Sequence, residues 1–198
     1  MSWTKHNLLP FDGEVYLLEN AFDAKELEPL YAELAWRQDD ITLWGKTYPV
    51  PRLQAWYADD GLSYTYSKIR MEANEWTDNL KKIKNKVNRI SNIKFNSVLC
   101  NYYRDGSDKN GWHRDNEKEL GREPPIASVS YGSARKFSLR HLKTKEKIDL
   151  ILPSESLLLM TGLTQHEWEH QLSPTKKLIG PRLNLTFRCR KSDDKLEL

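Results

Sequence analysis

An imidazole and a carboxylate stand two residues apart at His113 and Asp115, directly after a segment whose pattern predicts a β-strand. On an extended backbone, residues i and i+2 project from the same face, so these two side chains can bind one metal ion. A mononuclear non-haem iron site needs two neutral imidazoles and one carboxylate on one side of the ion, which leaves other positions free for a cosubstrate and dioxygen. The spacing therefore predicts two of the iron ligands, although an isolated His-x-Asp pair is more often an ordinary surface pair.

The third ligand is predicted to be His170, because separate strands that close a pocket bring distant ligands together. The segment 165–170 also contains the pattern H-E-x-x-H from His166 to His170, which is the signature of zinc proteases. That signature works only on a helix, where residues i and i+4 face the same way. Residues 156–162 have the pattern of a strand and a turn, and Pro174 follows closely, so a zinc protease is the less favoured alternative.

A second group of candidate residues lies in segment 181–190, whose strict alternation of polar and apolar residues is typical of a β-strand. The polar face carries Arg182, Asn184, Thr186, Arg188 and Arg190. One interpretation is an amphipathic strand whose polar face meets water. The other is a wall that holds a dicarboxylate, because a guanidinium group binds a carboxylate through two parallel hydrogen bonds. Asn101 and Tyr103, which share one face of another predicted strand, favour a pocket.

The elements that would position these residues are predicted to be helices first and strands afterwards. A first helix begins after Asp23, which can form a capping box with Glu26. A second helix covers about residues 74–90, and residues 43–57 between the helices are predicted as a loop region. From Phe95 onward the pattern changes to about seven or eight short strands, which predicts an α+β fold with a jelly-roll core.

Composition and charge set the outer limits on the class of protein. A chain of 198 residues is long enough for one domain with a substantial core. The net charge of +3 permits a nucleic-acid partner but does not by itself indicate one. The sequence has no signal-peptide pattern and no long apolar run, so we expect a protein of the cytoplasm, or of the nucleus in a eukaryote, with no membrane partner. We also expect a monomer. Cys100 and Cys189 fall on apolar strand faces, which favours buried thiols over a disulfide.

Several motifs carry a resemblance to a known family, namely residues 101–106, 113–115, 125–132, 170–174 and 181–188. In this order and spacing, over about residues 43–190, the chain resembles the AlkB family of Fe(II)- and 2-oxoglutarate-dependent dioxygenases, which repair alkylated nucleobases. It is most similar to the branch that acts on duplex DNA. The resemblance implies a double-stranded β-helix, that is, a jelly roll, over residues 95–190. The rest of a single domain 1–198 would be N-terminal helices with a nucleotide-recognition lid (1–94) and a polar tail (191–198).

The resemblance also implies the cofactors and the residues that bind them. Fe(II) would be bound by His113, Asp115 and His170, with O2 as oxidant and 2-oxoglutarate as cosubstrate. The residues around the cosubstrate would be Arg182 and Tyr103 at its distal C5 carboxylate, Asn101 and Arg188 at its C1 end, and Asn184 and Thr186 along the pocket. The reaction would convert 2-oxoglutarate to succinate and CO2 and would remove a methyl group from a base such as 1-methyladenine or 3-methylcytosine as formaldehyde.

Substrate contacts are implied at positions where the residues alone favour nothing beyond packing. Trp44 would be a finger that fills the gap left by an extruded base, Tyr66 would stack on that base opposite His113, and Tyr64 would bind nearby. Glu117 would face its exocyclic amino group, and Arg52 is a further candidate contact. The chain departs from the family pattern at Asn116, where close relatives carry Asp, which leaves the pairing of that position with Arg52 open.

The nature of the substrate stays open, because the lining of a pocket and not its metal ligands decides specificity. Alkylated duplex DNA is the first expectation, with single-stranded DNA, RNA or a non-nucleic-acid substrate as alternatives. A jelly-roll nucleic-acid binder without a metal is a further alternative. It predicts DNA binding that chelators do not affect.

Overall fold

Two antiparallel β-sheets carry most of the fold in this computed structural model, which describes residues 3–43, 45–59, 62, 64–66, 69–71 and 73–191. The strands are β1 (Glu14–Leu18), β2 (Asp40–Leu43), β3 (Lys46–Pro49), β4 (Leu53–Ala58), β5 (Tyr64–Tyr66), β6 (Ile69–Met71), β7 (Ser97–Tyr103), β8 (Asn110–His113), β9 (Ile126–Gly132), β10 (Arg135–His141), β11 (Lys147–Leu152), β12 (Ser156–Thr161), β13 (Trp168–Leu172) and β14 (Arg182–Arg188). The helices are α1 (Ala24–Leu27), α2 (Leu30–Glu33), α3 (Asp78–Ser91) and α4 (Thr164–Glu167).

The order of the strands confirms the predicted jelly roll. The larger sheet has the order β1-β12-β9-β14-β7-β4, and the smaller sheet has the order β11-β10-β13-β8. From β7 to β14 the chain passes back and forth between the sheets, as a double-stranded β-helix requires. The strand β14 lies between β9 and β7, so its inner face looks into the space between the sheets.

The N-terminal half contributes strands as well as helices to this core. β1 pairs with β12 at one edge of the larger sheet, and β4 pairs with β7 at the other edge. The prediction of a loop region across residues 43–57 is wrong in two places, because residues 46–49 form the strand β3 and residues 53–57 belong to the strand β4. Trp56 and Tyr57 are both buried, on opposite faces of the strand, and pack into different clusters. A strand that is covered on both faces has no polar alternation, so the sequence signal is absent.

The two predicted helices are present with changed boundaries. Asp23 and Glu26 form the expected capping box, but the helix is divided into α1 and α2 around Pro29, whose backbone has no N–H to donate. The longer helix α3 begins after Thr77, later than predicted, and its C-cap Asn92 has a left-handed conformation (φ 58°). Within the described ranges, no helix has the length and apolar character needed to cross a membrane.

The apolar core is divided between two places, and this division leaves room for a site. One cluster joins α1, α2 and α3 to the outer face of the larger sheet and includes Leu27, Ile83 and Leu185. The other lies between the sheets toward β1 and β12 and includes Val15 and Met160. The space between the sheets near β7 and β14 is lined instead by polar side chains. Cys100 is buried and Cys189 half-buried, and both are free thiols, as predicted.

Replacement of Thr77 tests the N-terminal cap of α3. Its hydroxyl oxygen accepts a hydrogen bond from the N–H of Leu80 at 3.2 Å and caps the helix. We expect Thr77→Ala to lower the free energy of unfolding by about 1 kcal/mol in urea denaturation, and Thr77→Ser, which keeps the hydroxyl, to stay near wild type. A Thr77→Ala protein as stable as wild type would contradict this role of the cap.

Candidate active site

The three predicted metal ligands come together between the sheets. His113 ends β8 and lies directly opposite His170 of β13, with ring centroids 4.3 Å apart. Asp115 follows two residues after His113, and its backbone N–H donates to Oε1 of the buried Gln165 at 3.0 Å. The possible ligand atoms of the three side chains all lie within 4.8 Å of one another.

The donor atoms of this group fit a divalent iron ion. Nδ1 of His113 donates to the carbonyl oxygen of Gly111 at 2.7 Å, so Nε2 keeps its lone pair, which faces the amide of Asn110 at 3.1 Å. Oδ2 of Asp115 and Nδ1 of His170 are buried without a hydrogen-bond partner in the described structure. Two imidazoles and one carboxylate with unused donor atoms form the facial ligand set of non-haem Fe(II).

The electrostatics of the site place each ligand in the protonation state that metal binding needs. Burial lowers the pKa of His170 to about 3 and also lowers the pKa of His113, so both imidazoles are neutral at pH 7. Burial alone would raise the pKa of Asp115, but Arg188, His170 and His113 together outweigh it and the pKa falls to about 2. Nη2 of Arg188 donates to Oδ1 of Asp115 at 2.9 Å.

The zinc-protease alternative is wrong, because its two histidines do not share a helix. His166 lies in the four-residue helix α4, and His170 lies in the strand β13 that follows. The H-E-x-x-H motif binds zinc only when both histidines lie on one face of a single helix, and here the chain changes from helix to strand between them. The strand pairing instead brings His170 to His113.

A second cluster of possible metal ligands, Asp12, His141 and Glu167, is held in a different way. Nδ1 of the buried His141 accepts the backbone N–H of Thr144 at 3.1 Å, so its proton is on Nε2. That nitrogen lies 3.4 Å from a carboxylate oxygen of Asp12 and 3.8 Å from one of Glu167. The histidine therefore presents a proton to the two carboxylates, which favours a structural contact over metal ligation.

The polar face of β14 lines a buried pocket and does not meet bulk water. Arg182 and Arg188 are each 3% exposed and Asn184 is 7% exposed, so the interpretation of a solvated strand is wrong. The three predicted metal ligands stand in the wall of the same pocket. The neighbouring strand β9 supplies hydroxyls from Ser128 and Ser130, which the sequence analysis missed. Ser128 and Ser130 are two residues apart within residues 125–132, and this strand spacing could have indicated that both hydroxyls share one face.

One end of the pocket is suited to a carboxylate. Nη2 of Arg182 donates to Oγ of Ser130 at 2.9 Å, while Nε is buried without a partner among the residues that the structure describes. Burial lowers the pKa of Arg182 to about 10, so the side chain stays charged at pH 7. Its guanidinium carbon lies 5.4 Å from the ring centroid of Tyr103. A buried positive group with an unused N–H is a site for the carboxylate of a ligand.

A hydrogen-bond network joins the remaining pocket residues. Nδ2 of Asn101 donates to Oδ1 of Asn184 at 3.4 Å, and Oγ1 of Thr186 donates to the same oxygen at 3.0 Å. Arg52 donates from Nε to Oδ1 of Asn101 at 2.8 Å and from Nη1 to the carbonyl oxygen of Lys109 at 3.2 Å. Arg52 thus lies in the pocket wall and is hydrogen-bonded to Asn101, which is predicted to lie near the cosubstrate.

The remaining predicted substrate residues are described in part. Glu117 is half-buried, burial raises its pKa, and its Oε2 is buried without a described partner. Tyr64 and Tyr66 lie on β5, and their side chains fall outside the described part of the chain. Trp44 lies outside the described residues. Its neighbours form the hairpin of β2 and β3, in which every residue of β3 is exposed.

A jelly roll that brings two histidines and one carboxylate together beside a buried arginine belongs to the class of mononuclear non-haem iron oxygenases. The family model described as the 2OG-Fe(II) oxygenase superfamily matches residues 14–188, and the chain belongs to this superfamily. Fe(II), O2 and 2-oxoglutarate are accordingly its metal, oxidant and cosubstrate.

Individual relatives agree with the predicted AlkB resemblance. The chain is 41% identical over 172 residues to "DNA oxidative demethylase ALKBH2" of Homo sapiens, covering 83% of this chain and 64% of that protein. It is 39% identical over 190 residues to "Alpha-ketoglutarate-dependent dioxygenase alkB homolog 3" of Mus musculus, covering 89% and 66%. It therefore spans less than two thirds of the length of these curated relatives. The solved structure of OsALKBH1 shares the fold, with a TM-score of 0.66 at 17% identity over 92% of this chain and 99% of that chain.

A pair of histidine variants separates the iron site from the rejected zinc motif. We expect His170→Ala to lose binding of Mn(II), used as a redox-stable substitute for Fe(II), because only one imidazole and one carboxylate would remain. His166→Ala removes a histidine from the same segment and should keep wild-type Mn(II) affinity. Isothermal titration calorimetry measures both, and equal loss in the two variants would contradict the ligand assignment.

Proposed function

We propose that this protein oxidatively demethylates alkylated nucleobases, such as 1-methyladenine and 3-methylcytosine, in DNA. The observation that carries the proposal is the convergence of His113, Asp115 and His170 in a pocket that ends at Arg182. Relatives about 40% identical to the chain bear the names of a DNA oxidative demethylase and an AlkB-homologue dioxygenase, which supports the same chemistry here. An activity on RNA or on a non-nucleic-acid substrate is the alternative.

The balanced reaction assigns a task to each part of the pocket. One oxygen atom of O2 enters succinate as 2-oxoglutarate loses CO2, and the other enters the N-methyl carbon. The hydroxymethyl group then breaks its C–N bond, releasing formaldehyde and restoring the base. Bound Fe(II) supplies the oxygen activation, and the protein supplies binding and orientation. His113, Asp115 and His170 would hold the ion, as neutral imidazoles and an ionised carboxylate.

The cosubstrate would lie along the inner face of β14. Arg182 is charged, buried and has an unused N–H, so it would bind the distal carboxylate together with Tyr103. Arg188 is held against Asp115 at the metal end and would lie near the C1 carboxylate with Asn101. Asn184 and Thr186, joined to Asn101 by hydrogen bonds, would line the space between these two ends, and water would be excluded by the closed sheet wall.

The base would be bound by the residues that the family resemblance implies as substrate contacts. An enzyme that acts on a paired base must extrude it, and an apolar side chain can fill the gap in the stack. Gly45 has a φ of 78°, which suits the tight turn between β2 and β3. Trp44, its neighbour in the sequence, would be the finger. Tyr66 and His113 would stack on the extruded base, and Glu117 would accept a hydrogen bond from its amino group.

Tyr64 and Arg52 are two further residues that would contact the substrate. Tyr64 would bind the base beside Tyr66, since the two alternate positions of β5 share one face. Arg52 would contact the substrate from the pocket wall. Its hydrogen bonds to Asn101 and Lys109 differ from the pairing with position 116 that the family pattern suggested, and Asn116 is exposed.

The direct test is incubation of the purified protein with Fe(II), 2-oxoglutarate and methylated single- and double-stranded oligonucleotides. Mass spectrometry should show loss of the methyl group and an equal yield of succinate and formaldehyde. The matched reaction without 2-oxoglutarate should leave the bases unchanged. Turnover of 2-oxoglutarate with no demethylation of DNA, but with demethylation of methylated RNA, would transfer the function to the alternative.

The finger assignment has its own test. We expect Trp44→Ala to reduce demethylation of duplex DNA by roughly tenfold, because the loss of a stacked aromatic costs about 1–3 kcal/mol per base. Demethylation of the same lesion in a single strand should change little, since no partner strand needs to be displaced. Trp44→Phe keeps an apolar ring and should recover most of the duplex activity. Equal loss on both substrates would remove the finger role.

A further inference from the structure

A second buried arginine lies close to the carboxylate end of the pocket. Arg135 begins β10, is 3% exposed and faces inward between the sheets. Its Nη1 donates to the carbonyl oxygen of Asp105 at 3.1 Å, and its Nη2 donates to the carbonyl oxygens of Asp108 at 2.9 Å and Ser173 at 2.7 Å. One guanidinium group therefore joins two chain segments that lie far apart in sequence.

Both segments close the same end of the pocket. Asp105 and Asp108 belong to the turn from β7 to β8, which follows directly after Tyr103, and Ser173 follows directly after β13. The turn also packs against the next residues of that second segment: the N–H of Thr175 donates to the carbonyl oxygen of Gly106 at 2.8 Å. A Cβ atom at Gly106 would come within 2.6 Å of the Thr175 carbonyl oxygen, so the contact depends on glycine. Arg135 holds this closed arrangement from inside.

The carboxylate of Asp108 is hydrogen-bonded to a different arginine, so Arg135 has no direct ion pair with it, although the charges of Asp108 and Asp105 still act on Arg135. Asp108 is buried and accepts hydrogen bonds from Nε and Nη2 of Arg104, both at 2.8 Å, and from the Arg104 backbone N–H. Arg135 hydrogen-bonds to the backbone carbonyl oxygen of Asp108 and not to its carboxylate. Carbonyl oxygens bind a guanidinium group without neutralising it, and a buried charge acts over several ångströms because the surrounding dielectric is low.

Tyr103 lines the pocket, and its aromatic ring lies near the guanidinium groups of both Arg135 and Arg182. The guanidinium carbon of Arg135 lies 6.0 Å from the ring centroid, and that of Arg182 lies 5.4 Å from the same centroid. On β10, Arg135 lies four positions before Leu139, which pairs with His170, a separation of roughly 13 Å at the rise of a strand. Arg135 therefore belongs to the carboxylate end of the pocket and does not contact the predicted metal ligands.

We infer that Arg135 is a positioning residue for 2-oxoglutarate, which fixes the closed end of the pocket around Tyr103 and adds a second positive charge behind the residues that line that end. The inference rests on the proposed binding of that carboxylate at Arg182. It predicts that Arg135 contributes to the preference for a dicarboxylate over a 2-oxo acid of equal length with a methyl group in place of the distal carboxylate. The affinity for the metal ion should not depend on it.

Binding without turnover tests this role. Isothermal titration calorimetry of Mn(II)-loaded protein gives the Kd for 2-oxoglutarate and for 2-oxopentanoate, which lacks the distal carboxylate. The wild type should prefer 2-oxoglutarate strongly. Arg135→Met should reduce the ratio of the two affinities by roughly tenfold, as the loss of a nearby buried charge predicts, with Mn(II) affinity unchanged. Lys136→Met removes a charge from the exposed face of the same strand and should keep the wild-type ratio.

The outcomes separate this inference from the proposed function. A folded Arg135→Met protein with the wild-type ratio would overturn the role of Arg135 alone. A wild-type protein that binds the two ligands equally would overturn the proposed carboxylate site, and the inference with it. If Arg135→Met does not fold, Arg135→Lys decides. It keeps a charge but not the planar fork that reaches three carbonyl oxygens, so its ratio should fall by a smaller factor, and an unchanged ratio would overturn the role.

Discussion

The buried ion pair between Arg188 and Asp115 is the interaction on which the rest of the site depends. Arg188 comes from the central strand of the larger sheet, and Asp115 follows the edge strand of the smaller sheet, so the pair joins the two sheets at the metal end. Removing one partner of a buried pair typically costs about 3–5 kcal/mol, because the other charge is left in a low dielectric. The pair keeps Asp115 ionised and aimed at the two histidines.

Burying polar groups between two sheets costs free energy, and in this jelly roll those groups are confined to one half of the space between the sheets. Toward β1 and β12 the inner faces are apolar and pack as an ordinary core. Toward β7 and β14, amides, hydroxyls and guanidinium groups satisfy one another through a connected network. Buried atoms without partners in the described structure include Oδ2 of Asp115 and Nε of Arg182, which a metal ion and a carboxylate could use.

The jelly roll and the meeting of His113, Asp115 and His170 were predictable because their signals are local or are carried by a whole motif. The alternation of segment 181–190 predicted β14, and the spacing of His113 and Asp115 predicted a shared face. The strand β4 was not predictable from pattern, because Trp56 and Tyr57 are buried on opposite faces and erase the alternation. Arg135 carried no signal either, since its partners are backbone carbonyl oxygens and any residue types could supply them.

The sequence by itself determined which side chains share a strand face and which chemistry those faces could support, because the two-residue period of a strand is a local property. Tertiary structure decided which way each face points. It turned the arginines of β14 inward, set His170 opposite His113 across a strand pair, and moved His166 to a separate helix. These outcomes depend on pairings between residues far apart in the chain, and such pairings are fixed only when the sheets close around a common core.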